Sequence, residues 1–238
     1  MGAIPTRAST APRADIPDVV RRAEAAFNRG VHGVVGMQRH FQTNISAGPV
    51  HHSETSESGI VLQDGKELGI RYYSIVQDGK PFSQSRIDQR NDQTNRDWAA
   101  GKVFFKEPYD PRFIGDYTFA GPEACADCSQ GALSVTFSSD VKDTQHGNGT
   151  MLIDEKTARV LRLTYTPNAL PPHASSGSVV ETTSAVLGSA WYVTRIEQTY
   201  HGKALFLSGT GTFTGTFDHF RRYATAAEGL TSLKGQDV

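Results

Sequence analysis

The sequence has few cysteines, almost no net charge and no long apolar run. Two cysteines in 238 residues are too few for a disulfide framework or for a zinc site built from two cysteine pairs. The formal net charge of −1 argues against a general nucleic-acid binder, which needs a basic surface. No stretch approaches the roughly 18 apolar residues of a membrane-spanning helix. From these absences we predict that the protein has no nucleic-acid partner and no transmembrane segment.

Motifs of the common catalytic sites are also missing. The chain contains no Gly-x-Ser-x-Gly elbow, no Walker phosphate loop, no His-Glu-x-x-His helix and no dinucleotide fingerprint. We therefore predict no catalytic residue, no metal ligand and no cofactor. The sequence is more typical of a binding protein than of an enzyme.

The most informative segment is the alternating run at residues 205–223, whose two faces differ in chemistry. One face carries the threonines Thr210, Thr212, Thr214 and Thr216, and the other carries Leu207, Gly209, Gly211, Phe213, Gly215 and Phe217. Such alternation predicts a long strand with one wet and one covered face. Glycines on the covered face let the strand bend and let another group approach the backbone. The run predicts a curved sheet that surrounds either a ligand or a helix of the protein itself.

One early helix and two flexible ends are predicted. Apolar residues recur at spacings of three and four between Asp15, a candidate cap, and Gly30, a candidate stop. They are Ile16, Val19, Val20, Ala23 and Phe27. We predict a linker at 1–14, one domain at 15–223 with this helix packed on its sheet, and a flexible polar tail at 224–238.

Strands dominate the chain after Gly30. Two Asp-Gly pairs, Asp64-Gly65 and Asp78-Gly79, separate alternating segments and predict tight hairpins. They predict a four-strand antiparallel meander from Val34 to about Ser85. A further turn is predicted at His201-Gly202-Lys203.

The segment Gln84–Ala100 is almost entirely polar and has two large apolar residues, Ile87 and Trp98. Two interpretations are open: a helix that lies on a sheet edge, or a mobile flap whose Trp98 touches the ligand space. The flap hypothesis follows from the small apolar surface available to hold about 17 residues in place.

Two clusters of reactive side chains favour structural roles. Cys125 and Cys128 are flanked by Glu123 and Asp127, which disfavour a reactive thiolate, and we predict a short structural disulfide. Asp140, Asp143 and His146 precede a Gly-Asn-Gly turn. This composition favours a solvated turn over a cation or acid–base site.

The order of elements resembles that of a known superfamily. An amphipathic helix leads into a meander, then into a hairpin at Gly149–Leu163 and a late strand with the sequence WYVTRIEQTY. This order is similar to that of the periplasmic lipoprotein-carrier proteins of the LolA/LolB-like superfamily. The resemblance implies an incompletely closed β-barrel covered by helices, with acyl chains bound in the apolar space between them.

We therefore predict a mainly β protein, a strongly curved antiparallel sheet or half barrel with an N-terminal helix packed on or in it. The predicted function is to bind or carry an apolar ligand, either a lipid or a lipidated peptide, in the cell envelope. The predicted location is periplasmic or secreted, although the N-terminal residues lack the apolar region of a signal peptide. The expected ligand-binding residues are Phe27, Trp98, Leu207, Gly209, Gly211, Phe213 and Phe217.

Two alternatives remain open at this point. One is a small-molecule hydrolase or isomerase with its site inside a barrel, formed by His40, Tyr72 or Arg195. The other is an interaction or sensor domain that recognises a partner through its sheet edges. Apolar pocket walls favour the carrier, titratable groups at the base favour the enzyme, and a filled interior favours the interaction domain.

Overall fold

A computed structural model describes residues 16–102, 105–125, 128, 131–204 and 207–235. The helices are α1 (Asp18–Gly30), α2 (Gln84–Ala99) and α3 (Ala226–Gly235). The first strands are β1 (Val34–Ala47), β2 (Val50–Gln63), β3 (Lys66–Gln77) and β4 (Lys80–Pro81). The remaining strands are β5 (Thr118–Ala124), β6 (Ala132–Ser138), β7 (Gly147–Asp154), β8 (Val160–Pro167), β9 (Ala174–Leu187), β10 (Ala190–Ala204) and β11 (Leu207–Tyr223).

All described strands belong to one antiparallel sheet with the order β4-β3-β2-β1-β11-β10-β9-β8-β7-β6-β5. Every neighbouring pair is consecutive in the chain except β1 and β11, which join the two ends of the sequence at the middle of the sheet. β4 and β5 form its two edges and do not pair with each other in the described part of the chain. The sheet is therefore open, and the predicted fold class, a curved antiparallel sheet with an N-terminal helix packed on it, is confirmed.

The two Asp-Gly pairs form the hairpin turns that the sequence predicts. Asp64 and Gly65 have φ values of 51° and 72°, and Asp78 and Gly79 have values of 50° and 75°. Positive φ at both central residues is the geometry that matches the twist of the flanking strands. The prediction of a turn at His201-Gly202-Lys203 is wrong, because these residues lie inside β10 and pair with β11 from Ser208 to Thr210.

Helix α1 covers one part of the sheet with the predicted apolar stripe. Val19, Val20 and Ala23 are buried in a core that includes Met151 of β7 and Trp191 of β10. An apolar stripe along a helix stabilises the fold mainly by burying apolar area against the sheet.

Helix α2 lies along the edge of β3, where β4 pairs only with Val76 and Gln77. The side chain of Asn95 bonds both the N–H and the C=O of Ile70, at 3.1 and 2.9 Å. Asn91 does the same for Tyr72, at 2.6 and 3.4 Å. Two residues along a strand and four along a helix both advance about 6–7 Å, so Asn91 and Asn95 have the same spacing as Tyr72 and Ile70. The two side-chain amides therefore make the hydrogen bonds that a neighbouring strand would make.

The C-terminal segment, predicted to be a flexible tail, contains the helix α3. Thr225 accepts a hydrogen bond from the N–H of Glu228 at 3.2 Å, and the Glu228 carboxylate accepts one from the N–H of Ala224 at 2.9 Å. Leu233 is buried beside Val61 of β2. Capping and one buried leucine together stabilise a helix within a segment that looks polar in sequence.

Candidate functional site

The cavity between the curved sheet and its cover is the candidate site. Its volume is about 180 Å³. The sheet side is formed by β1, β2, β8, β9, β10 and β11 with the start of β3, and the cover by the end of α1, the end of α2 and residues 105–113. Residues 82–117 connect the two edge strands. In this connection Phe105, Tyr109, Ile114 and Tyr117 are buried in the same core as α1.

Most of the cavity wall is apolar. Phe213 and Phe217 of β11 lie on either side of Phe41 of β1, with ring centroids 4.5 and 5.8 Å from it. The other apolar and aromatic lining residues are Phe27, Val31, Met37, Ile60, Leu62, Trp98, Phe105, Tyr109, Phe113, Tyr165, Tyr192, Val193 and Ile196. A wall of this kind removes apolar groups of a ligand from water and does not depend on their exact shape.

The structure brings four of the expected ligand-binding residues to this cavity. They are Phe27, Trp98, Phe213 and Phe217. The Phe27 ring closes the α1 side, with centroids 5.2 Å from both Tyr109 and Trp191. The side chain of Leu207 lies outside the described residues.

The expected glycines lie elsewhere on the same strand face. Gly209 pairs with Ala47 near the far end of β1, where a Cβ would come within 2.9 Å of Ala47 Cβ. A Cβ on Gly211 would meet no atom closer than Ile45 Cγ1 at 3.9 Å. A Cβ on Gly215 would collide with the Phe41 ring. Near the cavity, the glycine that makes room is therefore Gly215, and the group that uses the room is a side chain of the protein.

One end of the cavity wall carries buried carboxyl groups that the sequence analysis missed. Glu181 of β9 is 3% exposed and accepts a hydrogen bond from the Tyr165 hydroxyl at 3.0 Å. Burial raises its pKa to about 7, although this hydrogen bond lowers it. Its second oxygen, Oε2, has no hydrogen-bond partner among the described residues. Burial and the negative charge of Glu181 also raise the pKa of Glu107 well above its ordinary value.

Asp110 and Arg112 lie in the cover beside these groups. Asp110 is 1% exposed, and Arg112 Nε donates to both of its carboxylate oxygens at 2.9 and 3.0 Å. Arg112 Nη2 also donates to the carbonyl of Gly65 in the β2–β3 turn at 3.0 Å. The pair therefore ties residues 105–113 to the sheet across the cavity opening.

Arg39 is a buried cationic side chain in a mostly apolar part of the cavity wall. It lies on β1 between Met37 and Phe41 on the covered face and is 1% exposed. Its Nε donates to Ser58 Oγ at 2.9 Å. Its terminal nitrogens, Nη1 and Nη2, make no hydrogen bond within the part of the chain that the structure describes.

The sequence contains a signal for both of these buried charges. Arg39 and Glu181 each occupy the covered phase of an alternating strand, between Met37 and Phe41 and between Val179 and Thr183. A charged residue in the buried phase of a strand is uncommon and marks a functional candidate.

The residues suggested for a hydrolase or isomerase do not converge. His40 lies on the other face of β1, 3.5 Å from Asp218 and 3.9 Å from Glu57. Arg195 pairs with Glu197 at 2.8 Å and is about half exposed. Of the three, Tyr72 is the one that lies near Arg39, with its ring centroid 5.2 Å from the guanidinium carbon.

His146, predicted to lie in a solvated turn, is buried between two carboxylates. Its Nδ1 lies 2.8 Å from Asp143 Oδ1 and its Nε2 lies 3.3 Å from Asp116 Oδ2. Both ring nitrogens therefore face acceptors, and burial of this kind is typical of a structural clamp. The described residues contain no cluster of three or more His, Cys, Asp and Glu side chains able to hold a metal ion.

Cys125 and Cys128 lie at the end of β5 with their Cα atoms 5.4 Å apart and their sulfur atoms at bonding distance. The predicted disulfide is consistent with this geometry. Within the described ranges no helix is both long enough and apolar enough to cross a membrane.

No family model and no curated protein sequence matches this chain. A putative outer membrane lipoprotein-sorting protein domain from Vibrio parahaemolyticus is similar in structure, with 10% identity, a TM-score of 0.48 and coverage of 86% of this chain and 91% of that one. A DUF1329 family protein from Desulfovibrio piger has 10% identity, a TM-score of 0.41 and coverage of 87% and 92%. A LolA superfamily protein from Nitrosomonas europaea has 9% identity, a TM-score of 0.41 and coverage of 88% and 94%. The superfamily that the sequence resembles is thus represented among these similar structures.

Proposed function

We propose that this protein binds or carries an apolar ligand, a lipid or a lipidated peptide, in the cavity under residues 105–113. The observation that carries the proposal is the apolar wall of this cavity, in which Phe27, Phe213 and Phe217 contribute rings from two different elements. Each methylene group of a ligand that enters such a space contributes about 0.8 kcal/mol. Binding therefore requires no catalytic group.

The size of the cavity limits what it holds at one time. A volume of about 180 Å³ is close to the roughly 150 Å³ of an engineered apolar cavity that takes up benzene. It has room for the end of an acyl chain or a single ring. A longer chain requires residues 105–113 or α2 to move outward.

We propose a periplasmic or secreted location for this activity. The support is the Cys125–Cys128 pair at bonding distance, because disulfides persist mainly in oxidising compartments.

A second candidate function is acid–base chemistry on a small apolar substrate, by an isomerase or a hydrolase. The observation that favours it is Glu181, whose raised pKa of about 7 suits a general acid or base. The third possibility, a domain that recognises partners through its sheet edges, has less support because β3 is already covered by α2.

Uptake of an apolar fluorescent probe, 1-N-phenylnaphthylamine, tests the proposal. We expect the wild-type protein to bind it and a Phe213→Glu variant to lose most of this binding, because a carboxylate would enter the apolar wall. The matched control is Thr212→Glu, which places the same charge at the exposed neighbour on the opposite face of β11. Native mass spectrometry of the purified protein then shows whether a lipid is retained. Equal probe binding by both variants, with no retained lipid, would rule the proposal out.

A further inference from the structure

The guanidinium of Arg39 is a buried charge without a counter-charge. Its Nε bond to Ser58 uses one of the five N–H donors of the group. Nη1 and Nη2, which carry the other four, have no hydrogen-bond partner among the described residues. Arginine stays protonated in proteins, so the positive charge remains in the cavity wall.

The neighbours of Arg39 do not neutralise this charge. The Phe41 ring lies 4.1 Å and the Tyr72 ring 5.2 Å from the guanidinium carbon. Desolvated cation–π contacts of this kind stabilise a cation, but by less than the burial of an unpaired ion costs. Burial accordingly lowers the pKa of Arg39. The Tyr72 hydroxyl raises it through charge and side-chain hydrogen-bond interactions, but by less than burial lowers it.

The surrounding charged groups do not supply the negative charge that Arg39 lacks. Arg90 of α2 acts on Arg39 as a like charge and pairs with Glu54 at 3.4 Å. The four carboxyl groups that line the cavity, Glu67, Glu107, Asp110 and Glu181, form no hydrogen bond with Nη1 or Nη2 of Arg39. An oxyanion that reached Nη1 and Nη2 would supply the missing charge and two hydrogen bonds at the same time.

We propose that Arg39 binds the oxyanion head group of an amphiphile whose apolar chain fills the cavity. This inference rests on the proposed function and specifies its ligand class: a single chain ending in a carboxylate or a phosphate. The planar fork of a guanidinium matches both groups. A neutral lipid would leave the buried charge unpaired and is therefore disfavoured.

Phe41 controls access to this group. Its ring stacks on the guanidinium and lies over Gly215, where a Cβ would collide with it. Since Nη1 and Nη2 are shielded from solvent, binding of a ligand oxygen to them requires the Phe41 ring or its neighbours to shift.

Three probes with the same chain separate the head group from the tail: dodecanoate, dodecyl phosphate and dodecan-1-ol. We expect the wild-type protein to bind at least one of the anions ten or more times as tightly as the alcohol, by titration calorimetry. The ratio between dodecanoate and dodecyl phosphate identifies the source of the oxyanion. In Arg39→Met the ratio of anion to alcohol should fall to near one while the affinity for the alcohol is retained. Arg39→Lys should keep an intermediate ratio, and Arg195→Met, which removes a surface arginine, should leave it unchanged.

Thermal melting of the ligand-free protein distinguishes ligand binding from a structural role. We expect Arg39→Met to melt at or above the wild-type temperature, because an unpaired buried charge is removed. A lower melting temperature together with an unchanged probe ratio would assign Arg39 to the fold and overturn the inference. Equal affinity of the wild-type protein for all three probes would overturn it as well and leave the proposed function intact. Failure to bind any of the three would remove the proposed function itself. If Arg39→Met does not fold, the ratio of anion to alcohol affinity in the wild-type protein and in Arg39→Lys decides whether Arg39 binds the head group.

Discussion

Single residues of this protein determine how the cavity responds to its environment. Glu181 and Arg39 are two buried ionisable groups with unsatisfied polar atoms, placed on strands β9 and β1 of one wall. Each costs folding free energy that an apolar residue in the same place would not cost. Groups that reduce stability in this way are common at functional sites.

Glu181 makes the stability of the protein depend on pH. Its pKa is about 7 in the folded chain and its ordinary value is 4.5, so the folded state retains a proton that the unfolded state releases between these pH values. The resulting stabilisation is complete below about pH 4.5 and is lost as the pH rises through 7. We expect the free energy of unfolding to fall by up to about 3 kcal/mol over this range. Urea unfolding at pH 5, 6, 7 and 8 measures it.

The variant Glu181→Gln should remove most of this dependence, because the amide is neutral and can still accept from Tyr165. The remaining slope would come from Glu107, whose pKa is raised in the same direction. Glu155→Gln, at an exposed turn, is the matched control and should keep the wild-type profile. A wild-type profile that is flat between pH 5 and 8 would contradict the assignment of a neutral, buried Glu181.

At the scale of elements, α2 shows why a polar segment can be well ordered. Its small apolar surface leaves a mobile flap open as one interpretation of the sequence. The bonds from Asn91 and Asn95 to the backbone of Ile70 and Tyr72 favour the other interpretation, a helix fixed on the sheet edge. Backbone groups at an edge need partners, and side-chain amides supply them without apolar burial.

Replacement of both asparagines by alanine should release this edge. Two backbone N–H groups would lose their acceptors, at a cost of about 1–3 kcal/mol each if water does not reach them. We expect faster hydrogen exchange at the amides of Ile70 and Tyr72 and faster tryptic cleavage after Arg90 and Arg96. The control is Gln89→Ala, which changes an exposed residue of the same helix. Unchanged exchange at both amides in the double variant would show that α2 is held by other contacts.

The strands were predictable from sequence to a greater extent than the cover of the cavity. Alternation and Asp-Gly pairs act locally, so the meander of β1–β4 and the faces of β11 follow from residues close together in the chain. The polar end of the cavity combines Glu107 from the cover with Glu181 from β9. No local sequence pattern around Glu107 or Glu181 indicates that the two residues meet in the fold. The capping residues Thr225 and Glu228 are visible in the sequence and indicate a helix within the C-terminal segment.

For the whole molecule, α3 packs on strands from the two halves of the meander, β1, β2 and β11, where they meet in the middle of the sheet. Leu233 packs with Val34 of β1, Val61 of β2 and Tyr223 of β11. We expect removal of residues 224–238 to lower the free energy of unfolding by about 2–4 kcal/mol, because it exposes this cluster, and to lower the melting temperature accordingly. Removal of 236–238 alone controls for shortening of the chain. If the two truncations melt alike, the segment is the tail that the sequence predicts.

The pairing of β1 with β11 has a consequence for synthesis and folding. Val34 pairs with Tyr223, so the central ladder of the sheet joins residues from the two ends of the chain. Pairings of high sequence separation fold slowly because loop closure precedes any gain from the contacts. While the chain is made, the meander of β1–β4 emerges early and leaves the β1 edge open until the last strand arrives. An open edge can pair with other copies, and the time that β11 needs to reach β1 therefore sets how long the new chain is exposed to aggregation.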